Sequence, residues 1–218
     1  MEGMLKKEEG FTLVELMVAV TIALVVMAAV YSSYRTQQKS YIVNEQIIAM
    51  QQNLRAAMFY MSREIRMAGC DPLGTGVPGI EENTSTMIHF TRDIRGDDSE
   101  DPDGEIDDTH EDITYELMDQ DLDGDMDIVR NTGDGDYLLA KNIDQLDFVY
   151  LDAANNVTAN ISEIQSIQIT IVGRTERLDP GYTDNKPYVN QQGDEILAAQ
   201  NDAFHRESLT TNIRLRNL

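Results

Sequence analysis

Five aspartates recur at every second position in the run Asp119-Gln-Asp121-Leu-Asp123-Gly124-Asp125-Met-Asp127. Oxygen donors at loop positions 1, 3, 5, 7 and 9, with glycine at 6, match the first half of an EF-hand loop. A hard divalent cation needs several carboxylate and carbonyl oxygens, and the glycine permits the sharp turn that lets them converge. The chemistry this spacing predicts is calcium binding. Position 12, where such a loop places a bidentate Glu, is Arg130, so a site here is either incomplete or completed from Asp134 or Asp136. The competing reading is an acidic turn that joins strands at residues 113–117 and 128–130 and is kept soluble by its charge. A second acidic stretch, residues 97–112, contains Asp103-Gly104-Glu105 but no regular ligand spacing, and reads as a solvated or partly disordered loop.

Other reactive residues are sparse. Cys70 is the single cysteine, so it forms no intrachain disulfide, and it reads as a small apolar residue rather than a redox group. His89, His110 and His205 lie far apart, without the Cys or carboxylate spacing of a zinc site. There is no phosphate loop, no Ser-His-Asp set and no paired acid and base, so the chain is read as a non-enzyme that calls for no cofactor beyond possible calcium. Charge narrows the partners further. The 218 residues hold 17 Lys and Arg against 39 Asp and Glu, a net charge of -22. Residues 97–136 alone carry 18 acidic side chains against one basic, Arg130. Nucleic acid is excluded as a partner, because displacing its counterions needs clustered Lys and Arg.

The opposite extreme is residues 11–31, FTLVELMVAVTIALVVMAAVY, with Glu15 as the one charge. As a helix this segment spans roughly 30 Å, the thickness of a bilayer's hydrocarbon. A secretory signal peptide needs a basic n-region and a small-residue cleavage site after the apolar core. Here Glu8 and Glu9 follow Lys6 and Lys7, and no such site follows the core. A plain signal anchor, with Lys6 and Lys7 on the cytoplasmic side, leaves Glu15 unexplained, since a carboxylate within the hydrocarbon costs a few kcal/mol and is by default paired and functional. A local role also exists for it. Thr12-x-x-Glu15 fits a capping box, in which Thr and Glu satisfy free N–H groups at a helix start.

The string Gly10-Phe11-Thr12-Leu13-Val14-Glu15-Leu16 resembles the processing site of type IV pilins and of type II secretion pseudopilins. It joins a short charged leader ending in Gly10, an aromatic Phe11, Glu15 four residues later, and an uninterrupted apolar helix. The resemblance implies that a prepilin peptidase cuts between Gly10 and Phe11 and methylates the new N-terminus. Loss of Lys6, Lys7, Glu2, Glu8 and Glu9 takes the counts from 17 and 39 to 15 and 36, a net charge of -21. It further implies that Glu15 serves subunit assembly by pairing with a neighbouring subunit's freed amine.

No Gly or Pro occurs in residues 11–68, so nothing in those 58 positions breaks a helix. Ile47, Met50, Leu54, Met58, Met61, Ile65 and Ala68 recur at steps of three and four and form a one-sided stripe, read as core rather than as a binding groove. Gly69 supplies the C-cap and Pro72 prevents resumption. Beyond it the period falls to two. Strands are expected at residues 87–90, 113–117, 148–151, 164–172 and 210–215, in a sheet with one buried and one wet face. The expected fold class is α+β, a long N-terminal helix packed on an antiparallel β-sheet, which is also the pilin-like arrangement.

Within the pilins, residues 50–72 (MQQNLRAAMFYMSREIRMAGCDP) and 208–218 (SLTTNIRLRNL) resemble the larger minor pilins of the PilW type, with pseudopilin J a near relative. The expected organisation is a leader at 1–10, a transmembrane half-helix at 11–31, an amphipathic half-helix at 32–69, and a periplasmic β-sheet domain at 70–218 with an acidic insert at 97–136. The resemblance implies a single-pass protein of the bacterial inner membrane that moves into a pilus at the cell surface. Its partners would then be the prepilin peptidase, other minor pilins and the major pilin. The implied role is to initiate or cap pilus assembly. The alternatives are a minor pseudopilin of a type II secretion system and a membrane-anchored calcium-dependent binding module.

Overall fold

A computed structural model describes residues 10–76, 79–96 and 101–217; most of the leader and residues 97–100 of the acidic stretch lie outside them. Helix α1 runs from Leu13 to Ile65, as the absence of Gly and Pro allows. It stops three residues short of Ala68. Met67 N–H bonds to Glu64 O (2.8 Å) and Ala68 N–H to Ile65 O (3.1 Å), a tightening into i→i+3 turns. Gly69, at φ +70°, then turns its N–H away from the helix to Thr91 O (3.0 Å). The main chain after the helix is thus taken up by the sheet, which is why the helix ends early.

The chain divides into two compact units, Met1–Glu45 and Gln46–Leu218. In the first, every side chain of α1 through Ile42 is exposed, and this stretch is long and apolar enough to cross a membrane. The second unit begins at Gln46, so the last third of the helix belongs to the sheet domain rather than preceding it. There the expected stripe is the core: Met50, Leu54, Met58, Met61, Ile65 and Ala68 are buried, with Ile47 packed against them.

Two principal sheets meet that stripe where one was expected. The first holds five antiparallel strands in sequence order: β1 (Ile80–Asn83), β2 (Ile88–Thr91), β3 (Asp112–Met118), β4 (Asp127–Asn131) and β5 (Asp136–Ala140). The second holds β6 (Ile143–Leu151), β7 (Ser166–Arg174) and β10 (Arg206–Arg214) in the order β10-β7-β6, and a small pair joins β8 (Tyr188–Val189) to β9 (Glu195–Leu197). The acidic stretch supplies β3 and β4, which stand beside one another in the five-stranded sheet. Phe90, Ile113, Tyr115 and Ile128 from this sheet share one core with Phe148, Ile167, Ile169, Ile171 and Ile213 from the other. Each such side chain contributes about 1.5–3 kcal/mol by its burial.

From Glu207 onward strand β10 alternates exposed positions with half-buried or buried ones, as its sequence predicts, but β7 does not have a wet face. Ile167, Ile169 and Ile171 are buried, and so are Ser166, Thr170 and Val172. The long connection after β7 covers the second face: Asn190 Nδ2 donates to Asp147 Oδ2 (3.1 Å), and Asp147 stands opposite Thr170 in register. Where β7 meets the helix the approach is close. A Cβ on Gly173 would lie 2.7 Å from Leu54 Cδ2, so only glycine fits there without displacement.

Candidate functional site

At the start of α1, Gly10 and Phe11 precede the first helical turn, and Phe11 is 92% exposed. Among the described residues, nothing stands within 4 Å of the position a Cβ would take on Gly10. A requirement for glycine at that bond therefore has to come from whatever enzyme reads it, not from packing in this chain. The capping box is formed. Thr12 N–H and Oγ1 both donate to Glu15 Oε2 (2.9 Å each), and Glu15 N–H donates to Thr12 Oγ1 (3.2 Å). Glu15 is thereby held at the helix start, four residues from Phe11, whose amine peptidase cleavage would free.

A second carboxylate of α1 was not singled out by its sequence context. Glu64 is buried and lies against β3 and β4. Arg130 donates to it through Nε (2.7 Å) and Nη2 (2.9 Å), Arg92 through Nη2 (3.1 Å), and the Tyr115 hydroxyl through a short bond. Tyr115 and Arg130 are cross-strand partners, so one register places both donors under the helix. Burial by itself pushes the Glu64 carboxyl up, but the Arg130 and Tyr115 hydrogen bonds and the two guanidinium charges outweigh it and hold the carboxyl below its usual range. No spacing rule finds this cluster, because its members come from α1, β3, β4 and the segment that follows β2.

The run from Asp119 to Asp127 forms the β3–β4 turn, with Gly124 at φ +92°. Of its five aspartates, the carboxylates of Asp119, Asp121 and Asp123 converge to within 4.8 Å. The other two do not join them. Asp125 pairs with Arg174, and the buried Asp127 accepts the Asn142 N–H (3.3 Å). Lys141 pairs with Asp121 and holds its carboxyl below the usual range. Arg130, at position 12, turns inward to Glu64. Asp134 is engaged by Thr132 and Tyr137, and Asp136 by Asn131, so neither completes the loop. Two of the loop's five carboxylates, those of Asp121 and Asp125, are thus met by the protein's own cations.

The remaining candidates are structural. Cys70 is partly buried, and burial, with Asp93 nearby, pushes its thiol up and away from the reactive thiolate. His89 contacts Asp112 (2.6 Å), while His205 stacks on Tyr182 and contacts Asp179 (3.4 Å). Arg206 gathers Asp144, Asp184 and Asp202 and fastens the connection that covers β7.

Comparison with known families agrees at both ends of the chain. Residues 5–31 match the prokaryotic N-terminal methylation motif, and residues 114–217 match the type IV pilus-assembly protein W family. Among solved structures, a type IV-like pilin from Thermus thermophilus is similar at 13% identity and a TM-score of 0.48, over 77% of this chain and 97% of that one. A comparison with curated protein sequences finds no match. With a methylation motif on an exposed apolar helix at one end and a PilW domain built around β3 to β10 at the other, the chain is a type IV pilin-like protein of the PilW type.

Proposed function

We propose that this chain is a minor pilin, present in few copies, that helps to initiate or cap a type IV pilus after cleavage between Gly10 and Phe11. One observation carries this reading: the methylation-motif helix exposes every side chain from Leu13 to Ile42. Such a surface needs either a bilayer or other apolar helices around it. Membrane insertion serves it before cleavage, and packing beside related subunits serves it afterwards.

Charge argues for few copies. At a mature net charge of -21 (15 basic and 36 acidic residues after the leader is lost), a homopolymer would set like-charged surfaces against each other within a Debye length of roughly 8 Å. A subunit at the filament end meets mostly other proteins and escapes that repulsion. The test is to delete the gene and score surface pili and secreted proteins in the same cells. Lost pili with normal secretion is the expected result. Lost secretion with normal pili would assign the chain to a secretion pseudopilus instead.

A further inference from the structure

Arginines and exposed aromatic side chains gather at one place in a chain that is otherwise acidic. Phe59, Arg63 and Arg66 follow one another at steps of four and three, at the end of α1 and in the turn after it, so they stand along one face. Phe59 is 70% exposed and Tyr60 beside it 46%, although both lie in the part of the helix that packs on the sheets. With Met67, and with Ile94 from the segment after β2, they form the apolar lining of a cleft of about 620 Å³, a volume in the range of ligand-binding clefts.

Four arginines, Arg63, Arg66, Arg92 and Arg216, line the same cleft, and Glu64 is its single acid among the described residues. The whole chain has 17 basic residues against 39 acidic, so the local balance is the reverse of the average. Glu64 does not neutralise the set, because Arg92, Arg130 and Tyr115 already hold its carboxylate. Arg63, Arg66 and Arg216 are exposed, and among the described residues none of them pairs with a carboxylate. A guanidinium is less strongly hydrated than an ammonium, stacks on aromatic carbon, and meets a carboxylate through two parallel hydrogen bonds. Arginine together with exposed Tyr and Phe is also the mixture enriched where protein surfaces meet.

We propose that this cleft docks an acidic segment of another protein, whose carboxylates meet Arg63, Arg66 and Arg216 while one of its apolar side chains lies against Phe59 and Tyr60. Charge complementarity selects the occupant. A nucleic acid carries a charge about every 1.7 Å along its axis and would run past the cleft onto the rest of an acidic chain. A short segment places its charges on the arginines alone. One positive cleft in a negative protein also orients the approach, because the surrounding charge turns other encounters away. An assembling subunit calls for such a partner, but the cleft's chemistry is the same whichever assembly the chain joins.

The test places the photocrosslinker p-benzoylphenylalanine at Phe59 of the full chain in living cells and sequences the peptide it captures. The expected capture is an acidic segment of one other protein. It should be lost in Arg63→Glu with Arg66→Glu, kept in Arg63→Lys with Arg66→Lys, and weakened in Arg216→Glu, which lies outside the helix and reads the cleft independently of it. No capture, a segment without acidic residues, a peptide of this same chain, nucleic acid or lipid in place of protein, or a capture that survives both reversals would overturn the proposal. Loss of pili on gene deletion with no acidic capture at Phe59 would leave the assembly role standing and remove this docking site. An acidic capture in cells whose pili survive the deletion would do the opposite.

Discussion

The two halves of α1 each carry a carboxylate, and the chain treats them differently. Glu64, in the half that packs on the sheets, is buried and fully met by Arg92, Arg130 and Tyr115. Glu15, in the exposed half, finds its donors among the described residues in Thr12, three residues before it. A charge whose partners all lie within the fold stabilises the fold. One whose cap is local and whose surroundings are exposed apolar side chains has its remaining chemistry available to another molecule. The contrast separates what holds the domain together from what is open to assembly.

The largest effect on folding is expected at Glu64. Glu64→Gln leaves two buried guanidinium groups facing a neutral amide, and breaking a buried pair in this way costs about 3–5 kcal/mol. Melting should fall by about 6–20 °C. Acid should mimic the substitution. Because the folded-state pKa of Glu64 is depressed, its contribution is present above the unfolded value and is lost as pH falls through the lower folded value. Asp127, Asp147 and Glu111 shift the other way through burial, but they are common to both proteins. The difference in melting between unmutated protein and variant therefore isolates Glu64, and it should shrink in acid. An unchanged difference would show that the cluster is held by packing rather than charge.

A smaller loss is expected at Gly173, where the helix passes closest to β7. Gly173→Ala places a methyl group 2.7 Å from Leu54 Cδ2, an overpacking that costs about 1–3 kcal/mol. Shortening the opposing side chain should return part of that. Gly173→Ala with Leu54→Val is expected to melt above Gly173→Ala alone, and equal melting of the two would place the strain elsewhere.

How legible each feature was in the sequence follows from how local its cause is. The Gly10 to Glu15 string and the stripe from Met50 to Ala68 are written in consecutive turns, and both stand in the structure where their spacing puts them. Glu64 reads as one more polar residue beside that stripe, since its partners lie 28, 51 and 66 positions away. The same holds for the carboxylates. Regular spacing drew attention to Asp119–Asp127, where Lys141 and Arg174 meet two of the five carboxylates. In the connection between β2 and β3 the carboxylates of Asp103, Asp107 and Asp108 come together from an irregular spacing that the sequence does not mark. The wet face expected of β7 failed for a related reason, because the connection that covers it pairs through Asn190 rather than through a strand pattern.

The smallest effect on the folded domain, and the one that speaks most directly to assembly, is expected at Glu15. A capping box accepts Gln as readily as Glu at its fourth position, so Glu15→Gln preserves the bonds from Thr12 and the start of the helix while removing the charge. If Glu15 serves only the cap, the variant should behave as the unmutated chain in every respect. If its carboxylate also pairs with a neighbouring subunit's amine among packed apolar helices, the variant leaves that amine uncompensated, at a cost of roughly 3–5 kcal/mol in the assembled state alone. Melting in detergent should therefore be unchanged, recovery in the membrane fraction normal, and incorporation into sheared filaments sharply reduced. Normal incorporation would return Glu15 to the local role that its hydrogen bonds already show, and the contrast with Glu64 would then be one of burial and not of partner.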